Sequence, residues 1–228
     1  MNDLSLAAKR FMDLSTAGLG LLVLGPLMLL LAAVIRARLG PPVFFRQVRP
    51  GRNGVPFRLW KFRTMTNERD STGSLKPDEE RGTTLGRWLR RWSLDELPQL
   101  INVLTGEMSL VGPRPLLMRY LPRYNPEQAR RMLAKPGITG WAQVNGRNGL
   151  AWDRRLELDT WYADHWSLRL DFKIIALTAL AVLRSEGVKP GAGEELDEFW
   201  GEGVIPDDGP RAKPVEEDET SLDGRWKQ

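Results

Sequence analysis

Two adjacent carboxylates, Asp95 and Glu96, are the residues of this sequence best suited to covalent or metal-assisted chemistry. Arg90 and Arg91 precede them closely, and the pair could supply a nucleophile or bind Mg²⁺, which prefers carboxylate and phosphate oxygens. The same residues also fit a capping box, with Ser93 as the helix cap and Glu96 three residues further on. Spacing alone therefore leaves both a reactive site and a helix start open.

Two segments rich in Gly and Pro could contribute anion-binding groups. In the Gly-Pro-Arg-Pro segment at 112–115, Arg114 lies between two φ-restricted prolines, a rigid setting for a guanidinium that binds phosphate. The segment at 136–147 contains glycines that permit close backbone approach, with Gln143 as an amide and Arg147 as a cation. Either segment alone could be a structural turn, and neither has the spacing of a Walker A or dinucleotide fingerprint.

The amino-acid composition limits the kinds of catalytic or metal site that the chain can form. The chain has no cysteine and a single histidine, His165, which disfavours zinc sites, thiol nucleophiles, disulfides and a serine-histidine triad. Residues 1–189 contain 29 Lys and Arg against 17 Asp and Glu, whereas residues 190–228 contain 4 against 12. A basic body suits anionic partners, and the acidic end is typical of a solvated, disordered tail.

The first element that must position the site is the uncharged apolar segment Leu14–Ile35, which is long enough to cross a bilayer as a helix. Basic residues flank both of its ends, a pattern that favours the cytoplasmic side for each end. Gly25 and Pro26 divide it into two arms, each about half a hydrocarbon thickness long. The pattern predicts a re-entrant helix-break-helix, although a spanning helix with a tolerated kink fits equally well.

The remaining elements are short. Alternating apolar runs at 43–48 and 55–62, joined by Pro, Gly and Asn-Gly, predict a β-hairpin that carries Lys61 near its end. The polar and charged residues at 66–82 predict a loop. The Leu and Trp residues at 85–92 predict a short amphipathic helix with its tryptophans on the apolar face, suited to a membrane interface or to core packing.

Taken in order, these blocks resemble a known family. The chain is similar over about residues 9–187 to the small monotopic phosphoglycosyl transferases, members of the bacterial sugar transferases. The blocks that carry the resemblance are Gly25-Pro26, Phe44-Phe45-Arg46-Gln47, Lys61-Phe62-Arg63-Thr64-Met65, Ser93-Leu94-Asp95-Glu96-Leu97-Pro98-Gln99, Gly112-Pro113-Arg114-Pro115 and Pro136-Gly137-Ile138-Thr139-Gly140.

The resemblance implies an α+β, mainly helical, monotopic membrane protein with amphipathic interfacial helices. Residues 1–38 would form the re-entrant membrane hairpin, 39–189 the catalytic domain and 190–228 the disordered acidic tail. The family often has Ser-Pro at the break, where this chain has Gly25-Pro26, so the kink geometry is expected to differ.

The resemblance also implies an enzyme that moves a sugar-1-phosphate from a UDP-sugar to polyprenyl phosphate and releases UMP. Asp95 would be the nucleophile that forms an aspartyl-phosphosugar, and Asp95 and Glu96 would bind Mg²⁺. Six further residues match positions expected near the substrates: Lys61, Arg90 and Arg114 at the phosphates, and Thr139, Gln143 and Arg147 on the nucleotide side.

Such an enzyme is expected at the cytoplasmic face of the inner membrane, with UDP-sugar, polyprenyl phosphate and membrane lipids as partners, and with homo-oligomers possible. It would start assembly of a glycan such as an exopolysaccharide. The alternative is a non-catalytic membrane adaptor that binds acidic lipid or a partner protein. Nucleic-acid binding rests only on basicity and aromatic content, and the apolar segment argues against it.

Overall fold

The computed structural model describes residues 3–146 and 149–183, together with Phe199 and Gly201. Helices predominate, which confirms the coarse fold class predicted from the sequence. The helices are α1 Asp3–Leu39, α2 Asp78–Arg81, α3 Thr84–Arg91, α4 Gln99–Thr105, α5 Pro126–Ala129, α6 Trp141–Val144, α7 Trp152–His165 and α8 Leu168–Leu183. The strands are β1 Phe44–Pro50, β2 Pro56–Phe62, β3 Ser109–Val111 and β4 Gly137–Thr139.

Helix α1 is continuous and has Pro26 inside it. The predicted interruption at Gly25-Pro26 is therefore not seen as a gap in the helix. A proline removes one helix hydrogen bond and can bend the axis, while the flanking leucines are good helix formers that maintain helix on both sides. Re-entry into one face of a membrane stays a prediction.

The first half of α1 is fastened to the body by polar contacts. Lys9 Nζ lies 2.6 Å from Asp171 Oδ2 on α8 and 3.1 Å from the carbonyl of Val111. Asp13, itself buried, accepts hydrogen bonds from the Ser109 hydroxyl and the Leu110 amide, both at 3.0 Å. These contacts fix the start of the apolar helix on β3 and α8.

The second half of α1 packs on the β-hairpin and α3. Leu31 and Ile35 are buried in one cluster with Phe62 and Leu89. Arg63, which directly follows β2, donates hydrogen bonds to the carbonyls of Leu39, Gly40 and Pro41, so the C-terminal end of α1 is capped by a buried guanidinium.

Between these two attachments the apolar surface of α1 is exposed. Leu22, Val23, Leu29 and Leu30 are 60–76% exposed. Within the described residues, α1 is the one helix long and apolar enough to cross a membrane, and only 11% of its most apolar window is buried. So exposed an apolar surface is unlike the core helix of a soluble protein and is consistent with contact with lipid.

The β-hairpin is confirmed. Strands β1 and β2 pair antiparallel from Phe44 opposite Phe62 to Pro50 opposite Pro56. Asn53 adopts a left-handed φ of 56° in the connecting turn, a conformation that Asn tolerates better than most residues. The predicted loop at 66–82 also contains the short helix α2.

Helix α3 forms, but its predicted apolar face is divided. The Thr83 side chain caps the helix by accepting from the Gly86 amide. Leu89 is fully buried, whereas Trp88 is 47% and Trp92 40% exposed. Because residues four apart lie on one helix stripe, leucine and tryptophan form adjacent stripes, and only the leucine stripe faces the core. Placement of the tryptophans in a membrane interface stays a prediction.

A parallel pair of three-residue strands, β3 and β4, was not predicted. Ser109 lies opposite Gly137 and Val111 opposite Thr139. At Gly112 a Cβ would lie 2.1 Å from the Lys135 carbonyl oxygen, so the two segments approach as closely as glycine allows. Strands this short leave no recognisable alternation in sequence.

The predicted disordered tail over residues 190–228 lies outside the described residues, apart from Gly201 and Phe199. The Phe199 ring is 3% exposed and packs against Tyr120, Tyr124 and Trp152. Arg123 donates a hydrogen bond to the Phe199 carbonyl. The burial of this ring among aromatic side chains was not predicted, because the acidic composition of the segment gave no sign of it.

Candidate active site

The two carboxylates lie in a 3₁₀ turn, Leu94–Glu96, between α3 and α4. Ser93 precedes this turn with a left-handed φ of 54°, and its side chain makes no capping hydrogen bond. The capping-box explanation of the Ser93 to Glu96 spacing is therefore wrong. A non-glycine residue in this conformation at the entrance to a turn is a feature often found at functional sites.

Glu96 is held between two cations from distant parts of the chain. Its Oε1 accepts from Lys61 Nζ at 3.2 Å and from Arg114 Nη2 at 3.0 Å. The side chains of Glu96 and Lys61 are 16% and 14% exposed, and that of Arg114 is 31% exposed. The structure thus unites three of the residues assigned to the site by resemblance.

Asp95 is more deeply buried, at 7% exposed. Burial, together with the negative charge of Glu96, raises the pKa of its carboxyl group to about 6, against the opposing effect of Lys61 and Arg114. At neutral pH Asp95 is thus mainly ionised yet poorly solvated. Such a carboxylate is well suited to attack an electrophile.

Asn102, a residue that the sequence analysis missed, connects β2, the strand that carries Lys61, to α4, the helix that follows the carboxylate turn. This fully buried side chain on α4 accepts from the Trp60 amide at 3.1 Å and donates to the Arg58 carbonyl at 2.7 Å on β2. It thereby satisfies backbone groups along the edge of β2. An asparagine within the apolar run of α4 was the available sequence signal.

The segment that carries Arg114 directly follows β3 of the short parallel sheet. The Gly112 amide donates to the Thr139 carbonyl at 2.9 Å, and the Gly137 amide donates to the Pro113 carbonyl at 3.0 Å. The two residues that precede Arg114, Gly112 and Pro113, are therefore both hydrogen-bonded through their backbone to the segment around β4.

Three other predicted site residues are not joined to the carboxylates by the contacts seen among the described residues. Arg90 lies in the last turn of α3, and its buried Nε lacks a hydrogen-bond partner there. The Thr139 hydroxyl lies 2.7 Å from that of Thr178 on α8. Gln143 has both amide atoms buried without a partner in the same part of the chain. Arg147 lies outside the described residues.

A small solvent-open depression adjoins the two cations of the site. Its lining residues are Arg49, Leu59, Lys61, Gln99, Arg114 and Pro115. Three of the six are cationic, so the depression presents positive charge beside Glu96 and suits an anionic group.

Asp95 and Glu96 are the candidate metal ligands of the site. In the described part of the chain no group of three or more His, Cys, Asp or Glu residues could hold a metal ion. Two carboxylates nevertheless fit Mg²⁺, which commonly takes one or two from the protein and completes its coordination with water and substrate phosphates. The donor set therefore suits an ion that binds together with a phosphorylated substrate.

A buried Asp95 and a half-buried Glu96 beside two cations suit chemistry on a phosphorylated substrate, and the long exposed apolar helix suits contact with lipid. Comparison with known proteins supplies the family: residues 4–185 match the bacterial sugar transferase family. The chain belongs to this family of transferases.

Several relatives are similar over most of this chain. An uncharacterized sugar transferase, EpsL of Bacillus subtilis, is 56% identical over 197 residues, which cover 86% of this chain and 98% of the relative. The UDP-glucose:undecaprenyl-phosphate glucose-1-phosphate transferase of Escherichia coli is 43% identical over 181 residues, which cover 75% of this chain and 39% of the relative. The undecaprenyl-phosphate galactose phosphotransferase of Salmonella typhimurium is 40% identical over 197 residues, which cover 78% and 41%. The matched region is thus less than half of each of the last two proteins.

Proposed function

We propose that this protein transfers a sugar-1-phosphate from a UDP-sugar to a polyprenyl phosphate, such as undecaprenyl phosphate, through a covalent intermediate on Asp95. The observation that carries the proposal is the burial of Asp95 beside a Glu96 that is already paired with Lys61 and Arg114. The names of the Escherichia coli and Salmonella relatives, which specify sugar phosphate transfer to undecaprenyl phosphate, support the same reaction.

In the first step, a carboxylate oxygen of Asp95 attacks the β-phosphorus of the UDP-sugar. The bond from this phosphorus to the bridging oxygen breaks, and its electron pair leaves with UMP. In the second step, a phosphate oxygen of the polyprenyl phosphate attacks the same phosphorus and the Asp95 carboxylate leaves. Two displacements at one phosphorus replace a single transfer between a soluble substrate and a lipid.

Lys61 and Arg114 are assigned to the diphosphate of the donor. Each already contacts Glu96, and both reach the depression beside it. Cations fixed before the substrate binds stabilise charge that develops on phosphate oxygens without reorganising. Arg90 is proposed for the phosphates, and Thr139, Gln143 and Arg147 for the nucleotide, on the family resemblance alone.

Mg²⁺, bound by Asp95 and Glu96 together with phosphate oxygens of the donor, would neutralise the diphosphate and assist the departure of UMP. Glu96 would keep the two cations in place before the donor and the ion arrive, because it is the carboxylate that they contact.

The proposed topology is re-entrant, with both ends of α1 at the cytoplasmic face of the inner membrane. Its support is that Asp13 and Ile35, near opposite ends of the apolar segment, both pack on the same body while the surface between them is exposed. A straight crossing needs about 20 residues of lipid-facing helix, and residues attached to the body lie within any such window. Re-entry keeps the body outside the hydrocarbon and brings Asp95 near the lipid phosphate.

Membrane lipids are proposed as a further partner through the exposed surface of α1 and the tryptophans of α3, and a homo-oligomer is compatible with this arrangement. The product would enter assembly of a polysaccharide or glycoconjugate. Relatives named for glucose and galactose transfer differ in their sugar, so the sugar used by this chain is left open. Nothing in the site favours the non-catalytic adaptor, and membership of a transferase family argues against it.

The test is to incubate purified protein with Mg²⁺ and a panel of UDP-sugars, first without and then with undecaprenyl phosphate. We expect UMP in the first incubation at up to one equivalent, a mass increase equal to a sugar phosphate on the peptide that contains Asp95, and continued UMP release once the lipid is added. UMP formation that begins only with the lipid, without a modified peptide, would instead indicate direct transfer in a ternary complex.

A further inference from the structure

The backbone that carries Arg114 is held by two buried arginines. Prolines on either side of Arg114 have no backbone N–H, and the segment lies outside the strands, so its carbonyls need partners from elsewhere. Arg131 Nη2 donates to the Arg114 carbonyl at 2.7 Å, and Arg49 Nη1 donates to the Pro115 carbonyl at 3.2 Å. The two guanidinium groups take the place of a strand neighbour.

Arg131 has a dedicated counter-ion in Asp159 on α7. The Nη2 and Nε atoms of Arg131 lie 2.6 and 3.2 Å from Asp159 Oδ2, and the two residues are 2% and 1% exposed. Burial acts to lower the pKa of Arg131, but the charges and hydrogen bonds of Asp159 and Tyr124 together outweigh burial and raise that pKa, so the guanidinium stays charged. One Arg131 nitrogen, Nη2, thus bonds both the buried carboxylate and the backbone of the site.

Stability alone gives little reason for such a pair. Moving two charges into a protein interior costs about as much as their attraction returns, and apolar side chains of similar volume are often as stable. Asp159 Oδ1 is also buried without a hydrogen-bond partner among the described residues, a further cost. The pair does hold the backbone carbonyl of Arg114 in one position.

We propose that Arg131, held by Asp159, is a positioning residue that sets where the Arg114 guanidinium meets Glu96 and the donor phosphates. The Arg114 side chain is 31% exposed and is therefore only partly restrained by packing. Its location depends on its backbone, which Arg131 anchors. Misplacement of a catalytic cation by about 1 Å can lower a rate roughly 100-fold. This inference rests on the proposed function of the site.

The experiment compares Arg131→Lys with Arg130→Lys, the same substitution at the neighbouring residue. Arg130 is 47% exposed and pairs with Glu127 and Asp164 at the surface. Lysine retains the charge at residue 131 but not the planar fork that reaches the carboxylate and the carbonyl together. With the UDP-sugar that the wild-type protein uses, we expect kcat for UMP release to fall at least about tenfold in Arg131→Lys and to change by less than about twofold in Arg130→Lys.

A double-mutant cycle separates positioning from loss of structure. If Arg131 acts through Arg114, adding Arg131→Lys to Arg114→Gln should change the remaining rate by less than about twofold. An equal fractional loss in both backgrounds would overturn the inference, as would a normal rate for Arg131→Lys. Failure of the wild-type protein to release UMP from any UDP-sugar would overturn the proposed function, and this inference with it.

A second variant keeps the test decisive if Arg131→Lys does not fold. Arg131→Met combined with Asp159→Leu removes both buried charges and keeps similar volumes, an exchange that proteins tolerate. We expect this variant to fold cooperatively, with a thermal stability lowered by the loss of the donor to the Arg114 carbonyl, while kcat falls at least about tenfold. Full activity in this folded variant would show that the pair does not position Arg114.

Discussion

Arg114 Nη2 lies 3.0 Å from Glu96 Oε1, whereas Asp95, the neighbouring carboxylate, is the more deeply buried of the two. Lys61 approaches the same Glu96 oxygen. The cations thus bond Glu96 directly and act on Asp95 only through space, and the pKa of Asp95 remains raised to about 6. The two adjacent acids consequently differ in solvation, in charge balance and in the role each can take.

Asp95→Asn should remove turnover and also stabilise the protein at neutral pH. Folding raises the pKa of Asp95 from 3.8 to about 6, so the ionised form is less stable in the folded protein than in the unfolded chain. Above about pH 6, replacing Asp95 should therefore raise the free energy of unfolding by up to about 3 kcal/mol.

The gain from Asp95→Asn should shrink as the pH falls from about 6 to about 4, because Asp95 becomes protonated in the folded protein and begins to be protonated in the unfolded chain as well. Thermal unfolding in detergent with EDTA, at pH 7.5 and pH 4, measures the difference. A stability gain that does not depend on pH would contradict the assigned cause.

Lys61→Met should lower kcat/KM for the UDP-sugar by about 100-fold, because it removes one of the two cations placed to stabilise phosphate charge. Lys76→Met is the matched control, since Lys76 pairs at the surface with Glu68, a contact expected to contribute little. Initial rates of UMP release measure both variants. Equal rates for the two would exclude Lys61 from the site.

Both ends of α1 should react from the same side of the membrane. The chain has no cysteine, so single cysteines at Asp3, Arg38 and Arg52 are unambiguous labelling sites. All three positions are exposed, and Arg52 lies in the hairpin turn and reports the side on which the body lies. Re-entry predicts that a membrane-impermeant maleimide labels all three in inverted vesicles and none in sealed right-side-out vesicles. Labelling of residue 3 from the opposite side would indicate a spanning helix.

Gly86→Ala should destabilise the protein by about 2 kcal/mol, because an added methyl group would overpack a closely packed contact. A Cβ at Gly86 would lie 1.8 Å from the Thr64 carbonyl oxygen, and α3 would have to move away from the end of β2. At Gly82 a Cβ would meet its nearest atom at 3.5 Å, so Gly82→Ala is the control. Chemical unfolding of both variants tests whether this close approach is required.

The parts of the fold that the sequence predicted are those determined by neighbouring residues. The hairpin follows from alternation and a turn with Asn53, and the helical character of α1 follows from its apolar run, although the interruption predicted at Gly25-Pro26 is not seen as a gap. The division of α3 into a buried leucine stripe and an exposed tryptophan stripe depends on what lies beside the helix. Hydrophobicity alone could not separate them, because both residue types are apolar.

The site, like the fold, was predicted from the sequence only in part. The adjacency of Asp95 and Glu96 is visible in the sequence, but their approach to Lys61 and Arg114 was expected only from family resemblance. Arg131 was missed altogether, because arginine is rarely buried and its partner is 28 residues away. Long-range pairs of this kind leave no local pattern.

Phe199 is a residue late in the sequence that completes the packing of residues made earlier. Synthesis proceeds from the N-terminus, so α1 and all the residues around Tyr120, Tyr124 and Trp152 are made before the ring that fills the space between them. The space between Tyr120, Tyr124 and Trp152 stays unfilled until residue 199 has been synthesised. A protein shortened before residue 199 would therefore leave exposed the aromatic surface of Tyr120, Tyr124 and Trp152 that Phe199 covers.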